Sequence, residues 1–332
     1  MSTETLKAEA VRLGFDLCRV APAAAFEEAG HYLSWLSQKR HGTMDYMERN
    51  QDSRLDIRSW HPEARSVVLL ATSYFKRVGA ADGAKEGRIA SYALTRDYHK
   101  TIGKRMKALA AWIRAETGAD AKPFLDTSPV LERLYARYAG LGWVGKNTML
   151  ISPDIGSYFF LSGLSTEAAL IPDAPMPDHC GTCTRCLDAC PTDAFPQPRV
   201  LDASRCIAYL TIEHRGPVPE GLREGTGSWL FGCDICQDVC PWNRFARESR
   251  EPKLIEGLMP LEEAARMSED EFRTRLKPTP VSRAKWQGFV RNALLAIGNS
   301  GNPRFLPLLE EFTAHADPVL AEQARWSRAR LT

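Results

Sequence analysis

Long apolar runs are missing from this chain of 332 residues, and none approaches the ~20 residues that a membrane-spanning helix needs. An excess of one charge is missing too. The formal net charge is only +2, too small to announce a nucleic-acid-binding protein, so any RNA contact must come from local cations. The first segment, MSTETLKAEAVRLGFDLCRV, is amphipathic and charged rather than apolar, so no secretory signal, no membrane contact and a cytoplasmic location are expected. With 44% hydrophobic and 25% charged residues the composition is that of globular material, and the length exceeds the usual range of one core. Cysteine, by contrast, is abundant and concentrated.

Eight of the nine cysteines fall between Cys180 and Cys240: Cys180, Cys183, Cys186 and Cys190 before Pro191, then Cys206, then Cys233, Cys236 and Cys240 before Pro241. Thiolates separated by two or three residues can turn onto one small centre, and two groups of four describe two [4Fe-4S] clusters. In two-cluster ferredoxins the last cysteine of each run ligates the other cluster. On that pattern one set is Cys180, Cys183, Cys186 and Cys240, and the other is Cys190, Cys206, Cys233 and Cys236. Structural zinc sites use C-x2-C pairs joined by a longer loop, and three cysteines within seven residues argue against them. A disulfide scaffold belongs to small secreted chains and fits worse. The ninth, Cys18, reads as a small buried hydrophobe.

Residues 1–170 alternate helical and strand patterns, including the β-like run from Arg65 to Phe75 and a helix after Asp97 with Ile102, Met106, Leu109 and Ile113 on one face. Asp97 serves as its N-cap and Gly118 as its stop. A second helix is expected from Ser128-Pro129, with Val130, Leu131, Leu134 and Tyr138 inward, ending near Gly140. Thr148–Ser152 and Ser157–Leu161 flank Pro-Asp-Ile-Gly and suggest a hairpin. These patterns predict an α/β or α+β domain. A Pro-rich linker from Ile171 to His179 leads into a ferredoxin-like segment, 171–250. Residues 251–332 close the chain with a polar stretch and three helices: Gln287–Ile297, Pro303–Phe312 and Pro318–Leu331. Asn302-Pro303 and Asp317-Pro318 are cap-plus-first-turn pairs, and short antiparallel helices of this kind look HEAT-like.

Two motifs mislead. GLGWVGK, Gly140–Lys146, approaches a phosphate-binding loop, but Asn147 replaces the Ser or Thr, and a helix precedes the glycines where a strand is required. The run DYHKTIG, Asp97–Gly103, approaches a histidine ligand pattern for cobalt, but its glycine is one residue late and the helix cap accounts for Asp97. A third feature is informative: 26 residues separate Cys206 from Cys233, where the corresponding ligands of the first half are three apart. A plain electron carrier has no need of such a loop. Starting with Tyr209, Thr211 and Glu213, it is expected to cover whatever the second cluster reduces.

Taken together, HGTMDYM, RDYHK, FLDTSPVLER, AGLGWVGKN, GSYFFL, CIAYLTIE and CDICQDVCPWN resemble the epoxyqueuosine reductase family over about residues 5–300. The resemblance implies a cobalamin-dependent iron-sulfur enzyme that reduces the epoxide of epoxyqueuosine to queuosine at the wobble base of tRNA, the last step of queuosine synthesis. It implies a cobalamin-binding α/β domain, a ferredoxin-like domain and a HEAT-like region. Asp126 matches the family's proton donor. Arg54, Ala90, Leu131, Leu150, Ser152, Tyr209 and Asp234 match positions around the cobalamin. For tRNA the candidate cations are Arg133, Arg137, Lys146, Arg325, Arg328 and Arg330. A low-potential donor of ferredoxin or flavodoxin type and a monomeric state are further expectations.

Removing an epoxide oxygen as water takes two electrons and protons, which side chains alone do not supply. One tension is local: a carboxylate just before a helix N-terminus is held ionised, whereas a general acid wants a raised pKa. Burial against corrin and substrate would reverse it. Two rivals share features of this array. A reductive dehalogenase-like enzyme also combines cobalamin with two clusters but is commonly exported with a twin-arginine signal, and a ferredoxin-type carrier would hold iron and sulfide without cobalt.

Overall fold

Ser66–Ser73 is a strand buried at every position, and its side chains divide by parity between two cores. Val68 and Leu70 pack with Leu6, Ile102, Met106, Leu109 and Ile113 on one face. Val67, Leu69 and Ala71 pack with Ile57, Val130, Tyr135 and Phe159 on the other. Successive strand side chains point to opposite faces, so a strand covered on both sides reads as a continuous apolar run. Each fully buried Val or Leu there contributes roughly 1.5–3 kcal/mol.

The computed structural model describes residues 1–332. Its strands are β1 (Leu17–Pro22), β2 (Ser66–Ser73), β3 (Glu86–Ile89), β4 (Ala121–Phe124), β5 (Trp143–Val144), β6 (Leu150–Ile151), β7 (Phe159–Thr166), β8 (Trp229–Phe231) and β9 (Leu258–Pro260). The main sheet has the order β1-β2-β7-β4, all antiparallel. Helices cover it on both sides, so the mixed helix and sheet expected for this region takes the α+β form.

The helix Tyr98–Thr117 begins and ends where expected, with the Asp97 side chain accepting from the His99 amide and Gly118 left-handed at φ +72°. The next helix begins later than expected, at Glu132 rather than Ser128. Leu125–Ser128 closes a turn, Val130 N–H bonds Ser128 C=O, and Leu131 at ψ 71° is not yet helical. Tyr135 and Ala136, rather than Leu134 and Tyr138, are its buried residues. The expected hairpin also differs. β6 pairs backwards with β5, β7 joins the main sheet, and only a Ser152–Gly156 bridge closes the Pro-Asp-Ile-Gly turn. Gly140, at φ +65°, lies so close to Ala174 C=O that a Cβ would meet it at 2.0 Å, so this glycine serves a tight turn after a helix.

A second sheet, β8-β3-β9, takes one strand from each of the segments 1–170, 171–250 and 251–332. Its Ile89, Phe231 and Met259 share one core with Phe289, Leu294 and Leu320 of the C-terminal helices. Those helices span Lys285–Asn299, Leu306–Thr313 and Pro318–Leu331, with Asn302 and Asp317 acting as caps. Two short helices before them, Leu261–Arg266 and Glu269–Arg275, lie in the stretch read as merely polar. The second carries a capping box, Ser268 with Glu271, that was present in the sequence as its signal. No helix is long and apolar enough to cross a membrane.

Candidate functional site

The loop between β4 and the helix at Glu132 carries Asp126 to a half-open surface, its side chain 47% exposed. Two residues from the start of the helix Tyr98–Thr117 meet it there. Tyr98 Oη donates to Asp126 Oδ2, and His99 Nε2 lies 2.8 Å from Asp126 Oδ1. The other imidazole nitrogen, Nδ1, is 2.7 Å from Asp97 Oδ1. One histidine thus stands between two carboxylates. The hydrogen bond to Asp126, then that to Asp97, pushes His99 up to about 9, so near neutral pH it is an imidazolium donating to both. Burial pushes Asp126 up, but the hydrogen bonds from His99 and Tyr98 and the His99 charge outweigh it and hold Asp126 below the ordinary carboxylate range. The cause is therefore this local pair of donors, because the helix whose dipole was expected to act begins six residues later.

Beside Asp126 lies a cavity of about 410 Å³, lined by Thr43, Tyr46, Glu213, Arg215, Arg283 and Lys285. Arg283 forks onto Glu213 at 2.8 and 3.0 Å and stands over the Tyr46 ring at 5.8 Å. Asp126 does not line the cavity but lies near enough to act electrostatically on Tyr46 and Arg283. Lys285 holds a left-handed backbone, φ 63°, an uncommon conformation for a side chain other than glycine. Glu213 comes from the loop between Cys206 and Cys233, as the sequence led one to expect. Tyr209 and Thr211 do not reach the cavity: Tyr209 Oη accepts from Thr43 N–H at 2.9 Å, and Thr211 Oγ1 accepts from Gly232 N–H at 3.0 Å.

The remaining expected contacts divide by burial. Ala90, Leu150, Ser152, Tyr209 and Asp234 are between 0% and 7% exposed and form wall rather than surface. Asp234 accepts from Ser91 N–H at 2.7 Å, and burial raises it to about 7. Arg54 and Leu131 reach the surface, and Arg54 shares with Asp126 an influence on Glu132, whose carboxyl is raised by burial.

The expected tRNA cations do not converge. Arg133 donates to Thr148 C=O at 2.6 Å, Arg137 pairs with Glu28 at 2.9 Å, and Lys146 donates to Gly181 C=O at 2.7 Å beside Cys180. On the last helix Arg325 contacts Thr313 C=O, Arg328 pairs with Glu310 and Arg330 with Glu224. The cations that do meet at the mouth, Arg215, Arg283 and Lys285, escaped the sequence reading. They sit in no motif, and only folding brings 283–285 against Glu213.

None of the eight cysteines between 180 and 240 is in a disulfide, and all are half-buried. Cys186 is raised to about 11, by burial first and then by Cys180, Cys240 and Cys183. Cys236 is raised by burial and then by Cys206, Cys186 and Cys190, and Cys233 by burial and then by Cys206 and Cys236. Donors point at the sulfurs: Trp143 Nε1 to Cys180 and Ala194 N–H to Cys190, both at 3.4 Å, with further amides at Cys206, Cys233 and Cys240. Around one zinc, sulfurs at ~2.3 Å from the metal crowd within about 4 Å of each other. No three potential ligands converge like that, and the N–H donors at the sulfurs suit iron-sulfur clusters.

Comparison with known proteins agrees. Residues 179–243 match the 4Fe-4S double cluster binding domain, and residues 54–127 match the family described as epoxyqueuosine reductase QueG, DUF1730. An epoxyqueuosine reductase of Cyclobacterium marinum is 42% identical over 87% of this chain and 95% of its own, and one of Xanthomonas campestris is 39% identical over 96% and 92%. A crystal structure of epoxyqueuosine reductase with an epoxyqueuosine-modified tRNA-Tyr stem loop superposes with a TM-score of 0.91 at 28% identity, covering 99% of this chain and 89% of that one. With two family models matched and curated relatives about 40% identical over most of both chains, the chain belongs to the epoxyqueuosine reductase family.

Proposed function

We propose that this chain reduces epoxyqueuosine to queuosine at the wobble position of tRNA, the final step of queuosine biosynthesis, as a cytoplasmic enzyme. The observation that carries this reading is the position of Asp126, held by His99 and Tyr98 close to a cavity that is lined by Glu213 from the loop between Cys206 and Cys233. The residues for proton delivery and a loop that starts and ends at cluster ligands thereby approach one cavity. Loss of the epoxide oxygen as water consumes two electrons and two protons, and the product carries a carbon–carbon double bond.

Cys180, Cys183, Cys186 and Cys240 would hold one [4Fe-4S] cluster, and Cys190, Cys206, Cys233 and Cys236 the other. The nearness of Cys186 to Cys180, Cys183 and Cys240, and of Cys206 to Cys190, supports that division, while Cys236 also feels Cys186 of the other set. Cobalamin, which the family resemblance implies, would supply a strongly reducing and nucleophilic metal when bound. Arg54, Leu131 and Asp126 are the residues whose exposed surfaces suit contact with it, and Ala90, Leu150, Ser152, Tyr209 and Asp234 would back that contact from inside. A cobalamin-binding role for the first domain and a HEAT-like role for the last helices belong to the same proposal.

Asp126 delivers the proton to the departing oxygen. Asp126 is a carboxylate at rest, so the proton it passes to the departing oxygen comes from the His99 imidazolium, whose Nε2 is 2.8 Å away, and His99 is then reprotonated from solvent. Tyr98 fixes the second carboxylate oxygen and so the direction of the first. A relative from Bacillus subtilis, 29% identical with a TM-score of 0.87 over 99% of this chain and 90% of its own, is described with a catalytic aspartate loop swung out of the active site. The equivalent freedom here would lie in Leu125–Leu131.

Asp126→Asn is expected to keep iron, sulfide and cobalamin and to lose turnover by about 10²–10⁴-fold. Wild-type rates in that variant would remove Asp126 from the mechanism. Nucleoside analysis of tRNA from a strain lacking the gene tests the reading as a whole: epoxyqueuosine should accumulate, and a normal queuosine content would sink it.

A further inference from the structure

The face opposite in role to the Asp126 mouth is the surface over Cys180, Cys183, Cys186 and Cys240. These sulfurs line a pocket of about 70 Å³ together with Lys146, Arg185 and Trp242. Trp242 packs edge-on against Trp143, which in turn donates to Cys180 Sγ. Next to it Phe245 is 39% exposed, one of the few large apolar side chains at the surface, and Arg244 lies over its ring at 4.6 Å.

The charges around this apolar centre are unequal. Arg185 and Arg244 are exposed and form no ion pair, and Lys146 has only a carbonyl partner, Gly181. Of the nearby carboxylates, Asp178 is paired with Arg199 and Asp238 with Arg88 at 3.6 Å, while Asp188 is held only by the Thr184 hydroxyl, so the cations outnumber the free carboxylates. Uncompensated cations around an exposed aromatic centre form the complement of an acidic surface with an apolar middle.

We propose that this face docks a small acidic electron-carrier protein, which passes electrons one at a time to the cluster held by Cys180, Cys183, Cys186 and Cys240. The proposal rests on the cluster assignment made above. In each encounter the carrier is oxidised by one electron and the cluster reduced by one, so two encounters supply a turnover, while the protons enter at the Asp126 mouth. The tRNA has its own cations there, Arg215, Arg283 and Lys285, so the two macromolecules need not compete for a surface.

The experiment compares the purified holoenzyme with Arg185→Glu/Arg244→Glu and the milder Arg185→Gln/Arg244→Gln. Cluster bleaching is followed after mixing with a reduced flavodoxin-type carrier, and separately during reduction by a small neutral photoreductant. The carrier-driven rate should fall on the order of 10-fold or more on charge reversal and less on neutralisation, and the wild-type rate should fall between roughly 50 and 200 mM salt. The photoreductant-driven rate should be unchanged throughout. An unaltered carrier rate overturns the docking surface. So does an equal loss with both reductants, which would mean damage to the cluster, and so does a matching loss of tRNA affinity, which would make this a nucleic-acid face. Iron and sulfide counts on the same samples distinguish a failed docking surface from a failed cluster assignment, and no step of the assay requires epoxyqueuosine turnover.

Discussion

Cys180, Cys183 and Cys186 lie within seven residues and open onto a small surface pocket, whereas Cys206 and Cys233 stand at the ends of a 26-residue loop whose two ends are buried and whose middle reaches the surface. The first group needs little beyond its own short helix, Arg185–Asp188. The second is braced from a distance. Arg291, only 1% exposed, donates to the carbonyls of Leu210, His214 at 3.0 Å and Gly216 at 2.8 Å, and to Asn292. Asn292 in turn donates to Thr211 and Leu230 C=O, and the far strand of the loop, β8, pairs with β3. The helix Lys285–Asn299 therefore holds the loop that carries Glu213 to the reaction mouth. A compact array of ligands is fixed by its own short turn and helix, whereas a long loop between ligands takes a distant helix to fix it.

The largest effect should come from breaking the two groups separately. Cys233→Ala is expected to lose about half the iron and all turnover, whichever reductant is used, because the group beside the reaction mouth is gone. Cys183→Ala should lose a similar amount of iron and carrier-driven turnover, yet keep measurable turnover with a small photoreductant. Equal residual activities in the two variants would erase the distinction between an accepting group and a reacting one.

Next in size is Arg291→Met. Three buried carbonyls and Asn292 lose their donor, a cost of about 3 kcal/mol by chemical denaturation. The electron paramagnetic resonance signal of the second cluster should broaden while that of the first stays sharp, and Arg291→Lys should recover part of the loss. Equal broadening of both signals would mean that the helix steadies the whole protein rather than the loop.

Short-range features were legible before the fold was known. The cysteine spacing, the caps at Asp97, Asn302 and Asp317 and the apolar run Val67–Ala71 of β2 each rest on neighbours within one turn or strand. The partners of Asp126 were not legible in this way. Asp97, Tyr98 and His99 are 27 to 29 residues upstream, and what brings them to Asp126 is the packing of one helix against β4. Reading Asp97 as a cap was sound, yet the same carboxylate also grips His99 Nδ1, a second role no spacing rule contains. Pro129 misled for the opposite reason: a turn used the residue that a helix start would have used. Arg283 and Lys285 were invisible because their relevance depends on Glu213, 70 residues away in sequence.

The smallest effect concerns proton supply, which comes from His99 and Asp126 of the first segment and should leave both cysteine groups untouched. His99 is raised from 6.5 to about 9, so its contribution to stability is fully present below about 6.5 and is lost as the pH rises through about 9. Asp126 is lowered, so its contribution is present above the ordinary carboxylate range and is lost as the pH falls through its depressed value. The linked pair is therefore intact between the acid range and about 9, and turnover should decline on the alkaline side as His99 loses its proton. Asp97→Asn isolates the histidine from the fold, because asparagine caps a helix as well as aspartate does, while a neutral amide no longer supports the imidazolium. The alkaline limb of the kcat profile should shift to lower pH, turnover at pH 7 should change only about threefold, and both clusters should bleach at wild-type rates with either reductant. An alkaline limb that stays in place in Asp97→Asn would mean that His99 holds Asp126 in position without supplying its proton.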